Sequence, residues 1–237
     1  MRPMSNVLAI ATLVAFFCLT SSAQEKEEGG NTERTRVKES GEVLKQVLDM
    51  PDKGIPKNVM NGSKCVIILP SVKKVAIGIG GSYGRGVMTC RTGADYKGPW
   101  SPPIMMASSG GNIGFQIGGQ ETDFVIMVMN DQGAKSLLNN KVKLGADASV
   151  AAGPVGRTSE ASTNGKMQAQ MLSYSRSRGV FGGVSLSGST LRPDGDANEN
   201  LYGHKTKPED IIANKVTMPP EANQLIQDLQ STQTAEK

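Results

Sequence analysis

From Cys65 onward the chain is a succession of short runs rich in Val and Ile and broken by glycine. That texture restricts the fold more than any bulk property. The candidate strands are Cys65 to Leu69, Lys74 to Gly80, Gly86 to Arg91, Ile113 to Gly118, Phe124 to Met129, Ala146 to Ala151, Gln168 to Ser175, Gly179 to Leu186 and Ser189 to Leu191. Their short intervals and β-branched content fit a sheet, and glycine inside a strand marks a bulge or a close backbone approach. The expected fold is α+β and β-rich: a curved antiparallel sheet, a sandwich or a small barrel with Gly-rich strands, flanked by N-terminal and C-terminal helices.

The flanks carry the helical signals. Val37, Leu44, Val47 and Leu48 fall on one stripe at helical spacing, and Pro51, Gly54 and Pro56 end the pattern. A second short helix is expected over Pro56 to Asn61, and a turn or two over Gln132 to Leu138. Ala222, Leu225, Ile226 and Leu229 make an amphipathic helix of Glu221 to Gln230.

Residues 1 to 23 have the layout of a secretory signal, with Arg2, an apolar stretch from Val7 to Leu19, and Ser21-Ser22-Ala23 before Gln24. The apolar stretch is shorter than the roughly 18 residues of a spanning helix. The expectation is an exported protein, periplasmic or secreted and peripheral to a membrane. Residues 24–35 read as a disordered linker, 36–204 as one domain, and 205–237 as a tail bearing the last helix. Beyond the leader only Cys65 and Cys90 remain, which suggests one bridge, brought together by antiparallel pairing of their strands, with two buried thiols as the alternative.

Between Lys64 and Pro193 there are fourteen Lys and Arg against six Asp and Glu, a net of +8 in the central body. An anionic partner is therefore expected. Nucleic acid is not, given the export signal and few aromatics for base stacking. If the segment up to Arg178 is extended, Tyr174, Arg176 and Arg178 share one face of it. A phenol beside two guanidinium groups could cradle a phosphate head group. Lys73, Lys74, Arg85 and Arg157 are the next candidates, and the plain alternative for each is a solvated surface charge.

Catalytic signals are poor. Gly80-Gly81-Ser82-Tyr83-Gly84 matches a hydrolase elbow, but a strand-like run follows it and the lone histidine is the distant His204. A tight turn between two antiparallel strands is the expected role. Asp194, Asp196 and Asn198 alternate as in a calcium loop, yet Glu199 and Lys205 occupy positions that need glycine and an acid, so a surface turn is expected. One histidine and two cysteines cannot assemble a usual zinc site. No enzyme activity, cofactor or metal is expected; a serine hydrolase using Ser82 is the remote alternative.

Several islands of sequence carry a family resemblance: Ile68-Leu69-Pro70-Ser71, Cys90-Arg91, Trp100-Ser101-Pro102-Pro103, Gly114-Phe115-Gln116-Ile117-Gly118 with Asp123, Gly153-Pro154-Val155-Gly156-Arg157, and Tyr174-Ser175 with Gly179 to Gly183. In order and spacing they resemble the SYLF domain over roughly Val37 to Gly203. With its export signal and cysteine pair the chain looks like the bacterial branch of that family. The resemblance implies a non-catalytic module for acidic phospholipids, phosphoinositides in eukaryotic members, reached through basic residues and an N-terminal amphipathic helix, here Thr35 to Met50. It implies actin binding for some members, but actin is not expected as a partner of an exported chain. The competing reading is a structural or protein-binding envelope protein with no lipid ligand.

Overall fold

The structure is a computed structural model, and it describes residues 30–50, 54–155, 169–177, 180–184 and 186–234. Residues 1 to 23, expected to be a leader, lie outside them, as do Arg157 and Arg178. Helix α1 spans 30–48, and α2 is Lys57–Gly62. Two very long strands follow, β1 Cys65–Cys90 and β2 Ile104–Val128. After them come α3 Asp131–Asn139, β3 Val142–Lys143, β4 Val150–Ala152, β5 Met171–Ser177, β6 Val180–Gly183 and β7 Ser189–Pro193. The chain closes with α4 Gly195–Tyr202, α5 Pro208–Ile212, a single 3₁₀ turn Pro220–Ala222 and α6 Asn223–Thr234.

All seven strands belong to one sheet. β1 runs antiparallel along one edge of β2, from Cys65 opposite Val128 to Met88 opposite Ile104. The other edge of β2 is shared, since β7 pairs with Met106 to Gly110 and β5 with Asp123 to Val128. β3 continues outward from β7, and β6 and β4 flank β5, with β4 parallel to it. The mixed α+β architecture is therefore a strongly curled sheet with helices at both ends of the chain, as the glycine-broken runs imply.

The curl is visible in β1 itself. Its two ends meet: the Arg91 N–H donates to the Lys64 carbonyl at 2.8 Å, and a disulfide joins Cys65 to Cys90. Pairing is thus between the ends of one strand rather than between two separate strands. The halves of β1 touch at Gly86, where a Cβ would overlap the Ile68 carbonyl oxygen and stand 2.8 Å from Leu69 Cα. Bending is helped at Pro70-Ser71, where the register slips between Leu69 and Val72 and Ser71 adopts φ 46°. Proline has no N–H for the ladder, so an edge bulge is where it fits.

Alternation along the strands sorts the apolar residues into two clusters. Cys65, Ile67, Leu69, Phe124, Ile126 and Val128 point to the concave side, closed by Leu137 of α3 and Ile211 of α5. Val66, Ile68, Val125, Met127, Leu172 and Tyr174 point outward and are covered by Val37, Leu44 and Val47 of α1 and by Leu225 and Leu229 of α6. Each such side chain removed from water contributes roughly 1.5–3 kcal/mol. Gly41, an apparent weakness in α1, lets α6 come close, because a Cβ there would lie 3.3 Å from the Leu225 nitrogen.

Several expectations are corrected. The apolar stripe of α1 is buried against the sheet and α6, so it does not form the free amphipathic face proposed for Thr35 to Met50. The described residues 30–35, placed in the expected linker, are already helical, with Glu33 buried beside Arg36. Gly80 to Gly84 is continuous strand, not a tight turn, with Ser82 opposite Gly110. Asp194 to Asn198 is not a surface turn but the start of α4, capped by the Asp194 carboxylate on the Ala197 N–H.

Candidate functional site

Apart from Arg157 and Arg178, which lie outside the described residues, the basic residues singled out in the sequence each have a definite place. Arg176 is built into the body: its guanidinium donates to Asp123 Oδ2 from Nε at 3.0 Å and Nη2 at 2.6 Å, and Nη1 bonds Gln46 of α1. The other Asp123 oxygen accepts the Ser71 N–H at 2.9 Å. One carboxylate therefore ties the β1 bulge to β5 and, through Arg176, to α1. Tyr174 lies on the same side of β5, as period-two alternation requires, but its ring is wholly buried under Gly153. It cannot form the wall of an exposed cradle, and burial pushes its phenol well above the ordinary range.

Arg85 faces Asp194, with Nε 3.3 Å from Oδ2, and its guanidinium lies 5.7 Å from the Tyr83 ring. Arg36 stands nearby on α1, held by Glu33. Burial lowers its pKa, helped by the like charge of Arg85. Lys73 approaches Glu121 at 3.9 Å, both well exposed, and Lys74 sits over the Phe124 ring at 5.2 Å. Arg91 stacks on Trp100 at 4.7 Å and donates to the Ser63 carbonyl, so it too is internal. Among the described residues, the sequence-nominated ones are thus not gathered at one place.

A different group is gathered, and it comes from cross-strand register. Directly opposed residues share a face. Tyr83 of β1 opposes Ser109 of β2, Ser109 opposes Thr190 of β7, and Thr190 opposes Lys143 of β3. In the next row Arg85 opposes Ala107, which opposes Arg192. Ser109, Gly110, Gly111, Lys141, Lys143, Asp147, Gly188 and Thr190 line an open groove on this face. Lys141, Lys143 and Arg192 form no ion pair among the described residues, and Asp147 is turned to its own tight turn, accepting the Lys143 N–H at 2.7 Å. Among the described residues, Tyr83 is the large hydrophobic side chain left half exposed. Lys141, Lys143 and Arg192 were counted in the central charge but not nominated, because the register that aligns them joins strands far apart in sequence.

Catalytic groups do not converge. The Ser82 hydroxyl donates to the Gly110 carbonyl at 3.4 Å, while the His204 ring sits on the Tyr202 carbonyl. Among the described residues no group of three or more His, Cys, Asp or Glu could hold a metal ion, and no helix is long and apolar enough to cross a membrane.

The class is a β-rich α+β domain that presents charge on a curled sheet. Comparison with known families then gives the particular one. Residues 109–232 match the Ysc84 family, described as Las17-binding protein actin regulator, and the chain belongs to this family, the SYLF family of the sequence resemblance. Among relatives, Protein YSC84 of Saccharomyces cerevisiae is 32% identical over 183 residues, 76% of this chain and 38% of the relative. LAS seventeen-binding protein 3 of the same organism is 32% identical over 183 residues, 76% and 39%. Human SH3 domain-containing YSC84-like protein 1 is 30% identical over 204 residues, 84% and 58%. The chain thus spans less than two thirds of each relative. These descriptions overturn the expectation of anionic lipids with actin as an unlikely partner, since the family is described by protein partners.

Proposed function

We propose that this chain is a non-catalytic binding module whose partner is an acidic protein surface of the kind an actin filament presents. The observation that carries this reading is the unneutralised cationic set of Lys141, Lys143 and Arg192 on one sheet face, in a member of a family described as actin regulators. Arrays of one sign steer and hold a partner of the other. Sedimentation of the full chain with actin filaments tests it. Pelleting at low salt that weakens at moderate salt is expected. A chain left in the supernatant at low salt overturns it.

A second reading, an exported module for anionic phospholipid head groups, is favoured by the leader-like residues 1 to 23. It places the protein in the periplasm or outside the cell, against a membrane. Its contacts would be the exposed Lys73 and the half-buried Lys74 with Arg157 and Arg178, while Arg85 and Arg176 keep their carboxylate partners. Vesicles of phosphatidylcholine with and without phosphatidylserine separate the readings. Capture on the anionic vesicles alone, with none on filaments, selects the second.

A further inference from the structure

The close-packed glycines of this fold are required from inside. Besides Gly86, a Cβ on Gly153 would overlap the Tyr174 ring, and one on Gly183 would overlap the Gly153 carbonyl oxygen. Gly111 is different. It stands exposed within β2, its φ is not left-handed, and a Cβ there meets nothing within 4 Å. Its register partner is Gly81, also exposed, whose Cβ would find only the Gly110 carbonyl at 3.8 Å. Glycine in a strand interior weakens the strand, and one frequent reason for it is the close approach of another backbone. Nothing among the described residues supplies that reason for Gly81 and Gly111.

The surroundings of the pair indicate what approaches. The next row is Tyr83, Ser109, Thr190 and Lys143, and the one after it Arg85, Ala107 and Arg192, with Lys141 at the groove. Small side chains make the floor, an exposed phenol stands at one side, and lysines stand at the other. Arg85 leans on Asp194 yet keeps 42% of its side chain exposed. At about 4.8 Å between strands, the row from Tyr83 to Lys143 crosses three spacings, or about 14 Å, which is the length of about four extended residues.

We propose that this face is the docking surface for an extended acidic segment of a partner protein. The segment lies across the strands over Gly81 and Gly111, its carboxylates reach Arg85, Arg192, Lys141 and Lys143, and Tyr83 packs against its side. This inference rests on the protein-binding reading above and adds the surface and the form of the partner. Charge complementarity supplies the attraction, and the glycine floor supplies the fit.

The test uses actin filaments as the probe and three variants of the full chain. Gly111→Val fills the floor from a Cβ position that meets nothing within 4 Å. Lys141→Gln/Lys143→Gln/Arg192→Gln removes the charge, and Lys73→Gln/Lys74→Gln is the control away from this face. Melting temperatures of the first two are expected to stay near wild type, while filament affinity falls about tenfold in each and changes less than about twofold in the control. Wild-type capture that survives both Gly111→Val and the triple substitution overturns the inference and leaves the protein-binding reading standing. A wild-type chain that pellets with anionic vesicles and not with filaments overturns both.

Discussion

Gly86 occupies the point where the two halves of β1 press backbone on backbone, and Gly111 stands in the open on β2. The same substitution should therefore have opposite consequences. Gly86→Ala drives a methyl into the Ile68 carbonyl and is expected to cost about 3 kcal/mol, at the upper end of overpacking effects. Gly111→Ala should be neutral or stabilise by about 0.5 kcal/mol, because it removes freedom from the unfolded chain alone. Urea titration of both variants checks this, and equal midpoints would refute the crossing. Arg176 makes the same point about charge. Alternation correctly puts Tyr174 and Arg176 on one face of β5, but nothing local says that α1 covers that face. Arg176→Ala is thus expected to loosen the fold by about 2 kcal/mol through loss of the Asp123 and Gln46 bonds, and its melting temperature should fall even without any ligand present.

At the scale of elements, periodic apolar patterns were legible and docking was not. The stripes of Val37 to Leu48 and Ala222 to Leu229 are recoverable because a helix repeats its face in sequence, and both helices are found where those stripes lie. Strands were seen as fragments, since glycine interrupts the pattern while the hydrogen-bonded ladder of β1 and β2 runs on through it. Helix α4 was missed because its anchor is polar. Asn198 is buried, its Oδ1 accepts the Met105 N–H at 2.9 Å, and its Nδ2 donates to the Met105 and Asp194 carbonyls. A side chain that completes the edge of β2 in this way has no signature at short range. Asn198→Ala strands these buried groups and is expected to cost about 3 kcal/mol, read as a shift in urea midpoint with an unchanged slope. The Cys65–Cys90 link, legible as a pair but not as the clasp of one curled strand, spans 25 residues. Reduction should remove about 3 kcal/mol in the chain-entropy model, and a midpoint indifferent to thiol reductant would refute that contribution.

For the molecule as a whole, the two phenols beneath its covering layers set an alkaline limit on stability. Tyr174 is buried in the outer cluster, and Tyr202 donates its hydroxyl to the Pro103 carbonyl at 2.6 Å where α4 meets the loop before β2. Burial holds both well above the usual tyrosine pKa. In the unfolded chain both return to about 10. Below that pH each is protonated in either state, and the favourable contribution is complete. As pH rises beyond 10 the unfolded chain loses these protons while the folded one retains them, so stability falls by about 1.4 kcal/mol per pH unit for each tyrosine. The steepening should therefore start near pH 10, not at neutrality. It should be shallower by about 1.4 kcal/mol per pH unit in Tyr174→Phe, which keeps the ring under Gly153 and deletes the ionisable group. Unfolding free energies from urea titrations between pH 8 and pH 11 measure the slope; a Phe variant with the full wild-type slope would show that Tyr174 ionises without opening the sheet.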